Sequence, residues 1–196
     1  VLICRESHTH AKDVEQALLA GKHVLVEYPL AFTGDEARAL MALAQSQGTV
    51  LHVGYFAQLN PAHSLIGRAI TTGEAYRLDY HFQAGFGGLI RDQAEEGLWG
   101  QSANSRLQAL WDWVGPLTLT RCSLDSRADG YRLSVSLTSE TCQSITLTEA
   151  RIERGLRGRT VRAWDRRDHE LELPQWSTWR GGFEADTNAF VNRIQG

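Results

Sequence analysis

Gly21 to Leu30 reads Gly-Lys-His-Val-Leu-Val-Glu-Tyr-Pro-Leu, and the order of residue types in it decides the fold. Glycine stops a helix well because it enters the left-handed region without a side-chain penalty. Val24-Leu25-Val26 is too short for a helix and rich in β-branched residues, which reads as a buried parallel strand. Glu27-Tyr28-Pro29 then turns the chain out of the sheet. Ligands of open parallel sheets sit outside the carboxyl ends of the strands, so this turn is the first candidate for a site.

Working outward, Val1 to Cys4 reads as a strand and Arg5 to Thr9 as a polar loop. A helix follows from His10 to Ala20, with Ala11, Val14, Ala17 and Leu18 on its apolar face, and Gly21 ends it. Beyond the turn, Thr33 and Glu36 have the spacing of a capping box. Ala37, Leu40, Met41 and Ala44 recur at helical spacing up to Gly48, and Thr49 to Val53 makes another strand. Strand, helix, strand, helix, strand predicts the C-terminal half of a Rossmann-type doubly wound parallel sheet over residues 1–59. The chain opens inside a strand and its only methionine is Met41. It is therefore expected to be a piece of a longer protein whose true N-terminus lies ahead of Val1.

The pattern changes at Asn60-Pro61, a cap followed by proline at the first helical position. Leu65, Ile66, Ala69 and Ile70 supply that helix's apolar face. Tyr76, Leu78, Tyr80 and Phe82 then alternate with polar residues in the two-residue period of a half-buried strand. Gly85 to Gly100 reads as an irregular, glycine-rich loop, and Ser102 to Val114 as a helix with Leu107, Leu110, Trp111 and Val114 on one face. Further alternation around Leu133, Val135, Leu137, Ile145, Leu147, Val161, Ala163, Leu171 and Leu173 predicts short strands, and Phe183 to Ile194 a last helix. Residues 60–196 are thus expected to form an α+β substrate-binding domain with a large, mainly antiparallel sheet.

Composition narrows the function class. The 196 residues are 42% hydrophobic and 22% charged, with a formal net charge of -3. That suits one or two soluble domains and gives no global attraction to nucleic acid or an anionic membrane. Three cysteines without Cys-x-x-Cys spacing fit reduced thiols in a cytoplasm. His8 and His10 have no further Cys or His at ligand spacing, so no metal site is expected.

Several residues carry candidate chemistry. Tyr28, at the end of a parallel strand, can hydrogen-bond a cofactor amide or a substrate, or can simply pack the turn before Pro29. His10 at a helix start can face a cofactor, or lie on the surface. Gly85-Phe86-Gly87-Gly88 follows a strand of the wrong sheet type for a phosphate loop and suits a substrate-side loop. Seven arginines between Arg151 and Arg167 read as a solvated strand face balanced by Asp165, Asp168 and Glu170. Trp99 can stack on a flat ligand. Arg106 lies about 100° from Leu107 on the helical wheel, at the edge of the apolar stripe, where its guanidinium can point along the helix into a groove and take a carboxylate, or simply lie on the surface.

Gly21 to Pro29 resembles the G-K-H-V-x-x-E-K-P signature of the nicotinamide-dependent Gfo/Idh/MocA oxidoreductases. Tyr28 stands where that family usually has lysine, and Glu-Tyr-Pro is similar to its biliverdin reductase branch. Sugar and polyol dehydrogenases of the family carry D-x-x-x-H ahead of a closing glycine; the corresponding positions here hold Gln101 and Ser105. Ser105-Arg106-Leu107 resembles instead the S-R-[LI] run of the biliverdin reductases. Gly54-Tyr55-Phe56 departs from the V-E-H typical of that branch.

The resemblance implies NADPH as cofactor, or NADH, with His10, Glu27, Tyr28 and Pro29 at its site. It implies a linear tetrapyrrole as substrate, reduced to a rubin by hydride transfer to the central methine bridge. Tyr28 and Arg106 would carry catalysis, with Arg106, Ser105 and Trp99 on the substrate. A sugar or polyol dehydrogenase is the alternative, and a non-catalytic sensor or scaffold of the same fold a third reading. The family also implies a homo-oligomer through the large sheet.

Overall fold

The computed structural model describes residues 1–85, 98–174 and 181–196, with the side chains of 98–102 and 127 outside that description. Its elements fall into two compact units. The first comprises Val1–Asn60, Trp99–Ser105 and Trp179–Gly196; the second comprises Pro61–Leu98 and Arg106–Thr178.

In the first unit, β1 (Leu2–Ile3), β2 (Val24–Glu27) and β3 (Leu51–Gly54) form a parallel sheet in that order. Helices α1 (Ser7–Leu19) and α2 (Gly34–Ser46) make the crossovers. Ile3, Val14, Leu18, Val24, Val26 and Leu40 are buried together, each contributing roughly 1.5–3 kcal/mol by leaving water. The Thr33 hydroxyl accepts from the Glu36 backbone N–H at 3.2 Å and donates to the Glu36 carboxylate at 3.0 Å. The hydroxyl half of the expected capping box is thus present and caps α2, while the carboxylate takes the hydroxyl proton instead of a backbone donor; Gly21 ends the first crossover at φ +67°. A 3-10 turn at Phe56–Leu59 and helix α5 (Gly182–Gln195) complete the unit.

The second unit holds α3 (Pro61–Thr72) and a five-stranded sheet. Its strands are β4 (Arg77–Ala84), β5 (Thr118–Arg127), β6 (Gly130–Thr138), β7 (Ser144–Ile152) and β8 (Gly158–Trp164), in the order β5-β6-β7-β4-β8. Only the β4–β7 pairing is parallel. Leu78, Tyr80, Phe82, Leu133, Val135, Leu137, Ile145 and Leu147 are all buried, as their alternation predicts. Helix α4 (Leu98–Val114) contributes residues to both units. The expected fold class, a Rossmann-type parallel sheet and a mainly antiparallel α+β part, is the one observed.

Several details differ. Helix α1 begins at Ser7, three residues before His10, and α4 begins at Leu98, ahead of Ser102. Residues 86–97 of the expected loop lie outside the described residues. Met41, Leu65 and Trp111, expected on apolar faces, are 61%, 44% and 49% exposed. In each case the stripe is centred on neighbours instead: Leu40 and Ala44, Ile66 and Ile70, Leu110 and Trp113. Leu171 donates its backbone N–H to the Ala163 carbonyl at 2.8 Å, but residues 171–174 form no strand.

Candidate active site

β2 and β3 run in parallel with Glu27 opposite Gly54, so the two residues that follow, Tyr28 and Tyr55, emerge side by side at the carboxyl end of the sheet. Their rings stack with centroids 5.3 Å apart and planes 14° from parallel. Such a pair contributes about 1 kcal/mol beyond the area it buries. The Tyr55 hydroxyl donates to Asn104 Oδ1 of α4 at 2.7 Å. Burial, and secondarily the neighbouring Tyr28 phenol, push the Tyr55 phenol up to about 12. Tyr55 therefore stays protonated at neutral pH and acts as an ordered wall rather than a base.

The turn itself is held from below. The Tyr28-Pro29 peptide is cis, and the Pro29 carbonyl oxygen lies 2.8 Å from His10 Nδ1. His10 Nε2 lies 3.0 Å from the Arg5 carbonyl oxygen, and the ring is 1% exposed. The expectation that His10 faces a cofactor from a helix start is thus corrected. Because α1 starts at Ser7, His10 lies further inside the helix on its buried face, and each ring nitrogen faces a backbone carbonyl oxygen, one of which accepts the N–H of a neutral ring. What it does for the site is fix the Glu27-Tyr28-Pro29 turn.

Glu27 is half-buried. Burial raises its carboxyl above the ordinary 4.5, the Asp186 carboxylate adds to this, and His10 and the Tyr28 backbone N–H oppose it. Asp186, on α5, is buried and has its Oδ1 2.9 Å from His52 Nε2 on β3. The edge of the His52 ring packs against Phe190, with centroids 6.0 Å apart. Gly54 is required here for space: a Cβ would stand 2.9 Å from Asp186 Oδ2 and 3.8 Å from Glu27 Oε2. Tyr55, Asn104, His52 and Asp186 were not among the residues singled out from the sequence. Tyr55 carries a usable signal, since it follows one parallel strand just as Tyr28 follows its neighbour.

The remaining expected residues lie on α4. Ser105 is 6% exposed. Trp99 belongs to the first turns of the helix rather than to a loop, and its side chain lies outside the described residues. Arg106 was expected at the edge of the apolar stripe, pointing along the helix into a groove; it is 3% exposed instead. Its guanidinium carbon lies 3.6 Å from the centroid of the Phe82 ring, and its Nε 3.9 Å from Glu149 Oε2. Arg151 Nε donates to the other oxygen of Glu149 at 2.9 Å. The physical reason is Glu149, which is fully buried on β7. A buried carboxylate needs cationic partners, and the flat face of Phe82 accepts a guanidinium. Elsewhere in the basic stretch Arg162 grips Glu170 through two hydrogen bonds, as a balanced strand face requires, whereas Asp168 pairs with Arg77, outside the stretch, and Asp165 with His169.

A parallel sheet with crossover helices and a polar turn at its carboxyl end is a frame on which open α/β folds bind ligands, dinucleotides among them. Residues 1–55 match the Gfo/Idh/MocA family, described as an oxidoreductase family with an NAD-binding Rossmann fold. Over its length the chain is similar to biliverdin reductase A of Mus musculus, at 28% identity over 196 residues, covering 99% of this chain and 65% of that protein. It thus spans 65% of the length of that curated relative. The biliverdin reductase of Synechocystis sp. PCC 6803, solved with biliverdin and NADP+, matches with a TM-score of 0.76 at 23% identity, covering 99% of this chain and 70% of that one. The UDP-N-acetylglucosamine 3-dehydrogenase of Acidithiobacillus ferrooxidans reaches 0.77 at 19% identity, covering 100% and 69%. These two structures share the fold. The resemblance read from Gly21–Pro29 and Ser105–Leu107 is the one these comparisons find.

Proposed function

We propose that the full-length protein is an NADPH-dependent reductase of a linear tetrapyrrole, converting biliverdin to bilirubin. The observation that carries the bilin reading is α4. Between Leu98 and Val114 this helix holds no histidine, and Gln101 and Ser105 stand at the two positions where a polyol dehydrogenase would carry its Asp and its acid/base His. Residues 1–59 would be the second half of the cofactor domain and residues 60–196 the substrate domain, in a cytoplasmic enzyme.

The end of β2 suits a nicotinamide. A carboxamide needs a donor and an acceptor, and the half-exposed Tyr28 phenol beside the half-buried Glu27 carboxyl offers both. NADPH, when bound, supplies the hydride. Tyr28 orients the nicotinamide, Pro29 and His10 keep the turn rigid, and Glu27, its proton affinity raised by burial, keeps its proton to a higher pH than an exposed carboxyl would. Arg106 anchors a propionate or positions the proton source. That role requires its guanidinium to turn from Phe82 and Glu149 toward the ligand.

A sugar dehydrogenase is the second reading, favoured by the equally good fold match to the nucleotide-sugar enzyme. The two separate in one experiment. Full-length protein is mixed with biliverdin and NADPH, and the bilin and NADPH bands are followed together. Loss of both with a rising bilirubin band supports the reductase. No change, with a sugar or nucleotide sugar then reducing NAD or NADP, establishes the dehydrogenase.

A further inference from the structure

Tyr55 has no part in the reading above, yet it is the residue in contact with Tyr28. Three separated stretches meet on it: the end of β2 through the Tyr28 ring, the end of β3 through its own backbone, and α4 through Asn104. Stacking alone leaves a ring free to slide in its plane. Tyr55 is held at its far end as well, by a 2.7 Å hydrogen bond that commits its only hydroxyl proton. Asn104 stands next to Ser105 and Arg106 in the same helix.

We propose that Tyr55 is the positioning residue of this site, holding the Tyr28 phenol in a fixed plane so that the nicotinamide ring is presented in one orientation. The inference rests on the reading of Tyr28 as the nicotinamide-side residue. Stacked on Tyr28 and tethered to Asn104, Tyr55 acts on the reaction through its neighbour. Preorganisation of this kind appears in turnover more than in affinity, because a misplaced ring still binds but is held away from the productive geometry.

The test uses the full-length protein and three variants, Tyr55→Leu, Tyr55→Phe and Tyr55→Leu on a Tyr28→Leu background. With the substrate that the wild type turns over, Tyr55→Leu should lower kcat about tenfold and change KM for NADPH less than threefold. Tyr55→Phe, which keeps the stacked ring, should recover kcat to within about threefold of the wild type. On the Tyr28→Leu background the second substitution should cost less than about twofold, since no ring is left to position. An unchanged kcat in Tyr55→Leu overturns the inference, as does an equal cost with and without Tyr28, or a Phe variant as slow as Leu. Thermal melts of each variant separate lost folding from lost positioning. If the wild type turns over no substrate but binds NADPH in a fluorescence titration, the activity reading falls and the inference is judged on the bound cofactor. An emission of bound NADPH that differs between Tyr55→Leu and the wild type then supports it, and an unchanged emission overturns it. A wild type that binds neither NADPH nor NADH overturns both.

Discussion

At the carboxyl end of the parallel sheet, two phenols and the Glu27 carboxyl are left half-exposed, and the backbone beneath them lies against a buried histidine. On the inner face of α4 the arrangement is reversed. There a guanidinium is 3% exposed, laid on Phe82 and set against a carboxylate with no exposure at all. The first region keeps its polar groups available and spends its buried interactions on holding the turn. The second spends its charged groups on one another. A ligand approaching the first meets donors and acceptors already in place, whereas a ligand engaging Arg106 must compete with Glu149.

The comparison is broken most severely by removing the acidic partner in the second region. Glu149→Ala strands Arg106 and Arg151 over Phe82 and should cost about 3–5 kcal/mol. Urea unfolding checks this, and a loss under about 1 kcal/mol would show that the arginines find water. In the first region Asp186→Ala removes the partner of buried His52 and should cost about 2 kcal/mol in the same measurement. Arg106→Ala in the full-length protein should lower turnover efficiency at least about tenfold, on the order of 1.4 kcal/mol of transition-state stabilisation. An unchanged rate would leave Arg106 as a partner of Glu149 and nothing more.

Smallest is Glu27→Gln, which sharpens the contrast by its sign. The folded carboxyl is raised above 4.5, so between that value and its folded pKa the folded chain holds a proton that the unfolded chain has lost. The stability contributed by Glu27 is therefore full below about pH 4.5 and lost as pH rises through the folded value. Glutamine cannot ionise, so the variant should be the more stable protein at pH 7, with the gain vanishing below about pH 4.5. A thermal midpoint at pH 7 no higher than the wild type's would contradict this.

What could be read in the sequence follows the distance over which each feature is decided. The Thr33–Glu36 cap, the glycine stop at Gly21 and the alternation of β4 and β6 involve neighbours, and local chemistry was enough. The helices were legible as helices, but the centre of each apolar stripe was not, because Met41, Leu65 and Trp111 satisfy helical spacing as well as the residues that are buried. The site was legible where a strand end announces it, at Glu27-Tyr28-Pro29. His52 and Asp186 lie 134 residues apart and Tyr55 and Asn104 49; nothing local couples them. The inward turn of Arg106 depended on Glu149, a residue of another strand whose burial no periodicity of α4 could report.

The place of β4 in the sheet has a consequence for synthesis. It is the first strand of its sheet to be made, yet it lies between β7 and β8, with Arg77 opposite both Ser144 and Trp164. A growing chain therefore carries Leu78, Tyr80 and Phe82 on a strand bare along both hydrogen-bonding edges until its last two partners have been translated. Any product halted before Trp164 presents at least one unpaired strand edge, a template for association with its neighbours.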